Sequence, residues 1–514
     1  MLAKRTKVVC TLGPAADGEP DLRNLVQAGM DVARLNFGHG DACEHLARLN
    51  RLKKVRRELD TPTAVMVELR GSGIRTGLLE GGEPVRLQAG RRIVLTAADA
   101  AGSARKVHQS FPGLAAHVRP GASVLLDDGQ IELAVDECDG DDVVCTVQNT
   151  GMLGERKSVH LPDVDLGLPL LTDADRETAR FAVEQGADFL AVPGVRDAAD
   201  VACVRELLAQ LGGAGVSVVA KIDNAAAVEH AREIALAADA VVVDRGNLGV
   251  LLGAEQVPHI QKNIAAVCRE LHTPVVIATQ LLDSMERMPR PTRAEVSDIA
   301  SAVDDRVDAL LLSGETAQGK YPVPAVQMMA RIVRESEARL HRPPAPAAPT
   351  LAPPAPAPAP VPPLPETTPV ERVSPSVGLA AVRAADAVDA ACIVTPTESG
   401  RTARLLSNLR PARPVYAVTE HEEVARRVQL CWGVAALVGS AGEHTMSSTV
   451  AAACETLRTA GLAHDGDIVV VTAGDAATSP RVTGADGCDG GYAGTNVMCV
   501  VQVGVDAGEG GEAE

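Results

Sequence analysis

Eight short apolar runs punctuate the chain: Lys7–Leu12, Asp31–Phe37, Thr63–Leu69, Asp188–Pro193, Val216–Ile222, Ala240–Asp244, Pro274–Thr279 and Asp308–Leu312. They are rich in Val, Ile and Leu and hardly alternate, as parallel strands covered on both faces do. Segments with helical spacing lie between most of them, such as Asp21–Gly29 and Asp197–Leu211, and they run into glycine, a usual helix stop. Eight strand–helix units predict a (β/α)8 TIM barrel. The third unit is interrupted. Between Thr76 and Asp163 the pattern turns to short alternating runs (Pro84–Leu87, Arg92–Thr96, Ser123–Leu126, Gln130–Val135, Val143–Gln148) separated by Gly and Asp. This predicts a small inserted β-barrel, placed as a lid over the barrel's catalytic face.

After the barrel, Pro343–Pro369 is dense in Pro and Ala and reads as a stiff, extended linker without a function of its own. Beyond it, Ala391–Thr395, Val415–Val418, Ile468–Thr472 and Val497–Val503 alternate with helices such as Ser399–Leu409 and Thr445–Ala460. That is the pattern of a separate α/β domain with an open sheet. The expected organisation is therefore a barrel in two parts (1–72 and 164–342), a lid (73–163), a linker (343–369), a C-terminal α/β domain (370–506) and a disordered acidic tail (507–514).

Composition narrows the picture. At 514 residues the chain exceeds one core and fits two to four domains. Only 2% of residues are aromatic, so the cores must be aliphatic. A net charge of −18 disfavours nucleic acid as a partner. No run of 18 apolar residues reads as a membrane span, and MLAKRTKVVCTL lacks a secretory pattern. The 11 cysteines are odd in number and form no CxxC pair, which points to reduced thiols in a cytoplasm. Cys10, Cys203 and Cys499 read as small hydrophobes within apolar stretches.

Barrel enzymes keep their chemistry at the C-terminal ends of the strands. Those ends carry Arg34, Asn36, Glu68, Arg70, Lys221, Asp223, Arg245, Asn247, Thr279 and Glu315. One such charged residue is as readily a solvated loop residue; a whole ring is not. Two of these cations, Arg34 and Lys221, with acidic and amide groups between them suit an anionic substrate held through a divalent metal, and phosphoryl transfer needs little more than such groups in line.

Six motifs then fall in order: RLNFGHG (Arg34–Gly40), GIRTG (Gly73–Gly77), AKIDN (Ala220–Asn224), RGNLG (Arg245–Gly249), TPVVIATQLLDSMERMPRPTRAE (Thr273–Glu295) and LSGETAQGKYP (Leu312–Pro322). Together they resemble the pyruvate kinase family over nearly the whole chain except the Pro/Ala linker. The resemblance implies transfer of the phosphoryl group of phosphoenolpyruvate to ADP, giving pyruvate and ATP in glycolysis, with Mg2+ or Mn2+. It implies that Lys221 stabilises the phosphoryl group in transit and the developing enolate, and that Arg34 binds the substrate phosphate. Asp223 and Asn247 match the family's metal-holding positions. Gly246, Asn247 and Thr279 match the carboxylate-binding positions, and Asn36, His39 and Arg75 the nucleotide side. A homotetramer is implied likewise. Thr292 and Glu295 also fit a helix capping box, an equally good reading of both.

Several positions depart from the family pattern. The metal positions, usually Glu and Asp, are Asp223 and Asn247 here, so one full charge is missing unless Glu315 or the substrate phosphate compensates. Gly38, Glu68 and Leu69 stand where Ser, Asp and Thr usually surround potassium, leaving Asn36 and Glu68 as a degenerate site. Gly73 replaces a Glu and Arg70 a Lys, and Arg70 offers a charge in place of K+. Ala174 stands where a nucleotide-side lysine is usual, and Pro193–Gly194 replace Ser-Phe. Two readings follow: a working kinase without an ordinary potassium site, or a catalytically weakened paralogue with a binding or regulatory role. Retention of Arg34, Lys221 and Thr279 favours the first. Another phosphoenolpyruvate-handling barrel, a lyase or aldolase, is disfavoured by the lid and the C-terminal domain.

Outside the barrel, Thr395-Pro-Thr397-Glu-Ser399-Gly400-Arg401-Thr402 links a strand to a helix. Its hydroxyls and free N–H groups suit a phosphorylated effector, although an ordinary helix cap has the same residues. Trp432 reads as packing and Arg51–Arg57 as a solvated basic face.

Overall fold

The computed structural model describes residues 4–162, 164, 166–340, 373–440, 446–474, 481–483, 489–491 and 495–504. The Pro/Ala linker and the acidic tail expected from the sequence lie outside the described residues.

Eight parallel strands close into a barrel: Lys7–Thr11, Val32–Asn36, Ala64–Glu68, Phe189–Val192, Ser217–Ile222, Ala240–Asp244, Val275–Ala278 and Ala309–Leu312. The first pairs with the last, Lys7 opposite Ala309. Alternation along each strand divides the core in two. Val9, Val32, Met66, Ala191, Val219, Val242, Val276 and Leu311 fill the interior. Val8, Cys10, Ala33, Val67, Leu190, Val218, Val243 and Leu310 pack outward against the helices. With almost no aromatics, both layers depend on branched aliphatics, which fill a barrel of this size.

The lid is a seven-stranded sheet whose outer strands are Ile74–Arg75 and Lys106–His108. An isolated bridge between Thr76 and Gln109 draws these two outer strands together and curls the sheet around its own aliphatic core.

The C-terminal domain holds a five-stranded sheet in the order Val434–Val438, Val415–Thr419, Cys392–Pro396, Ile468–Ala473, Val497–Gln502, antiparallel only at the last. It docks beneath the barrel, at the N-terminal ends of the strands. Arg426 pairs with Asp188 and Arg410 with Asp308, each at 2.7–2.8 Å. The other oxygen of each carboxylate accepts a barrel backbone N–H, from Val65 and Val275 respectively. Trp432, 5% exposed, lies between the guanidinium groups of Arg5 and Arg410. Leu430 belongs to the barrel's interior cluster and closes its floor from below.

Two local readings meet the structure here. Cys203 is exposed on its helix and is not a core residue, whereas Cys10 is buried as expected. Thr292 and Glu295 form a reciprocal capping box on the helix Arg293–Asp304, and Glu295 also accepts from Ser284 N and Oγ. Their contacts are those of a helix start.

Candidate active site

The inward register that fills the barrel continues upward into charge. Above Val9 comes Thr11; above Val32, Arg34; above Met66, Glu68; above Val219, Lys221 and then Asp223; above Val242, Asp244. All six are at most 7% exposed. Placing so many ionisable groups in a dry barrel mouth is tolerable only if they neutralise one another.

They do so in a chain. Arg34 Nε donates to Glu68 Oε2, and Arg34 Nη1 to Thr11 Oγ1 at 2.8 Å. Thr11 Oγ1 donates in turn to the Leu312 carbonyl. Lys221 Nζ lies 2.9 Å from Glu68 Oε1 and 2.9 Å from Asp244 Oδ2. Glu68 thus bridges the two cations, one through each oxygen. Burial works against its charge, but Arg34 and Lys221 outweigh that and pull its pKa down to about 2. Burial likewise opposes the Lys221 ammonium, and Glu68, Asp244 and Asp223 together raise its pKa above the ordinary lysine value. Asp223 has less help: burial and the nearby Asp244 push its carboxyl up to about 6 against the pull of Lys221. Both Asp223 oxygens accept from Gly194 N, at 3.1 and 3.2 Å, and Asn224 Nδ2 donates to one of them.

Thr279 is held in a conformation a β-branched residue rarely adopts, with φ +70°, and Gln280 follows at +54°. Arg245 accounts for this. It donates to the carbonyls of Thr279 and Gln280 and is anchored in turn by Asp298. The turn presents the Thr279 hydroxyl to Gly246 N, which donates to it at 2.7 Å, beside Asp244 Oδ1 at 3.4 Å. Arg245 is therefore a brace under the site, not one of its free cations. Asn247, in the first turn of the helix Arg245–Leu252, donates from Nδ2 to Asp244 Oδ2 at 3.0 Å. Glu315 is spent on the Leu282 and Ser313 backbone N–H groups, so it does not make up for the missing acid at Asn247.

The residues read for the nucleotide side gather where barrel and lid meet. Asn36 Oδ1 accepts from Gly38 N, and Arg75 Nη1 donates to the Arg156 carbonyl in the lid. A side chain at Gly38 would begin 3.1 Å from Asn36 Oδ1 and 3.7 Å from Arg75 Nη2. Burial, with Arg75 next in size, lowers the His39 pKa and keeps the ring neutral. Asp128 of the lid, held near pKa 2 chiefly by its contact with His160, faces Arg75 electrostatically. A cleft of about 450 Å3 opens between lid and barrel, lined by Asp128, Gly129, Gly246, Val250, Gln280 and Asp298 among others.

The charged ring, the braced threonine and the lid over the barrel mouth match the sequence resemblance. Comparison with known proteins decides the point. A family model described as pyruvate kinase, barrel domain matches residues 3–326, and one described as pyruvate kinase, alpha/beta domain matches 376–488. The chain belongs to the pyruvate kinase family. A pyruvate kinase of Geobacillus stearothermophilus is 40% identical over 476 residues, 92% of this chain and 78% of that protein. One of Clostridium acetobutylicum is 37% identical over 478 residues, 92% of this chain and 96% of the other. The crystal structure of a pyruvate kinase from Cryptosporidium parvum superposes with a TM-score of 0.79 at 31% identity, covering 97% of this chain and 96% of that one. Within this pyruvate kinase fold, no helix of the described residues is long and apolar enough to cross a membrane.

Three participants escaped the sequence reading: Thr11, Asp128 and Asp244. Asp244 was legible in principle, since it continues the inward alternation of Ala240 and Val242.

Proposed function

We propose that the chain is an active pyruvate kinase, moving the phosphoryl group of phosphoenolpyruvate to ADP with the help of a divalent cation and without potassium. The observation that carries this is the buried chain Arg34–Glu68–Lys221–Asp244. It keeps both cations charged and fixed at the barrel mouth in readiness for an anionic substrate.

In this reading the substrate phosphate is drawn to Arg34 and Lys221, whose charges Glu68 already holds in place at the buried barrel mouth, so the site need not desolvate them afresh. Lys221, a compact cation, follows the charge from the phosphoryl group to the enolate oxygen. The Thr279 hydroxyl stands beside the enolate carbon, and the Gly246 and Asn247 backbone groups hold the carboxylate. ADP lies against Asn36, His39 and Arg75 under the lid. The available donors on the metal side, from Asp223, Asn247 and Asp244, are all oxygens, which fits Mg2+ or Mn2+. When bound, that cation neutralises charge on the transferring group.

Potassium independence is supported by what occupies its place. Glu68 is committed to two cations, Leu69 is a buried apolar side chain, and Arg70 Nε donates to the Phe37 carbonyl. The second reading, a weakened paralogue, draws on Asn247 and on the exposed Ala174. Coupled assay of pyruvate formation with Mg2+ or Mn2+, each with and without K+, separates the two. Potassium-independent turnover that disappears in Lys221→Ala upholds the proposal. No turnover, restored by Asn247→Asp with Ala174→Lys, upholds the paralogue.

In the C-terminal domain we read the loop Thr397–Thr402 as an effector site for a phosphorylated ligand. It leaves the strand next to the point where strand order reverses, and Gly400 takes φ +79° to open it. Thr397 Oγ1 accepts from Gly400 N, Ser399 Oγ from Arg401 N, and Thr402 bonds Thr495. The neighbouring Thr395 and Thr472 hydroxyls are buried without a hydrogen-bond partner among the described residues. Assembly as a homotetramer is proposed from the family resemblance and is checked by sedimentation.

A further inference from the structure

Replacing a metal-holding acid by Asn247 should cripple a hard-cation site, because an amide oxygen brings no charge to a dication that depends on it. The structure holds another carboxylate within one hydrogen bond of that amide. Asp244 ends the sixth barrel strand in the inward register, is 5% exposed, and receives Asn247 Nδ2 at 3.0 Å on Oδ2. It also stands close enough to Asp223 to be felt electrostatically by it, and its Oδ1 lies 3.4 Å from Thr279 Oγ1.

We infer that Asp244 is the second carboxylate of the divalent-cation site, supplying from the strand end the charge that Asn247 no longer supplies from the helix. The inference rests on the metal-dependent reading above.

Two observations favour it over a purely structural role. As a helix cap Asp244 is poor, since Asn247 N reaches its Oδ1 only at 3.4 Å. With Arg34 and Lys221 against Glu68, Asp223 and Asp244, the cluster carries one more buried anion than cation, an imbalance that a bound dication reverses. No group of three or more His, Cys, Asp or Glu forms a complete cage among the described residues. Two carboxylates with substrate oxygens completing the shell is the usual arrangement for Mg2+.

The test is Mn2+ binding to the full-length protein, read from the loss of the free aquo-ion signal in electron paramagnetic resonance, with no substrate present. Asp244→Asn keeps the shape and the capping ability and removes only the charge. It is expected to weaken Mn2+ binding by at least about 10-fold, the lower range seen even for outer-shell partners of metal ligands. The double variant D244A/N247D moves the carboxylate back to the helix and is expected to restore binding. Undiminished binding in D244N overturns the inference, and so does a loss that D244A/N247D fails to restore. Absence of Mn2+ binding by the unaltered protein overturns the metal-dependent reading itself, and this inference with it.

Discussion

Glu68 offers the sharpest quantitative test, because it is the shared anion between two buried cations. The perturbation is Glu68→Gln, which keeps volume and removes charge. Its carboxyl sits at about 2 in the folded chain against an ordinary value of 4.5. That difference corresponds to about 3 kcal/mol of stability at neutral pH. Breaking a buried ion pair from one side costs about 3–5 kcal/mol by general experience, so the two routes agree. Since the folded-state value is depressed, this stability is fully present above the unfolded value and is lost as pH falls through it towards the folded value. The window is pH 4.5 down to about 2. The difference between the unaltered chain and E68Q should therefore shrink from about 3 kcal/mol at pH 7 to about 1 kcal/mol at pH 3. Urea unfolding followed by far-ultraviolet circular dichroism at the two pH values measures it. A difference below about 1 kcal/mol at pH 7, the level of an exposed pair, would refute the reasoning.

Other consequences are simpler. Lys221→Met should lower kcat by on the order of 1,000-fold while leaving the circular dichroism spectrum unchanged, as expected of a cation aimed at developing charge. Thr292→Ala removes one half of a capping box whose other half holds Ser284, and should cost about 1 kcal/mol in urea unfolding. Trp432→Ala empties the space between Arg5 and Arg410 and should cost about 3 kcal/mol, visible as faster proteolysis between barrel and C-terminal domain.

What the sequence disclosed follows from the physics of each element. All eight barrel strands lie within one or two residues of the apolar runs, because strands covered on both faces tolerate no polar interruption. The lid strands Lys106–His108, Gly151–Leu153 and Ser158–His160 are three residues each, too short to display a period, and none was anticipated. Val434–Val438 was missed as well: VAALV is largely exposed on its outer side and looks like any Ala-rich segment. At the site, Arg34, Glu68, Lys221, Asp223 and Thr279 were readable as strand ends. Arg245 and Glu315 were equally readable as strand-end residues, yet one braces the Thr279 turn and the other binds backbone. Position along a strand says which residues reach the mouth of a barrel; only the contacts say which remain free there. Asp244 is the opposite case, an acid closing an apolar run whose place in the site shows only in its contacts with Asn247 and Lys221.

The docking of the C-terminal domain makes the two pieces unsuited to cut-and-paste. A chain ending at Leu340 would strip Asp188 and Asp308 of the Arg426 and Arg410 partners that now pair with them, and would open the barrel floor where Leu430 now fits. Each of these carboxylates also holds a strand's backbone, so the loss would loosen the staves themselves and not just an outer surface. The barrel here is less a module carrying a second module than a cask whose bottom is supplied by a distant stretch of the same chain.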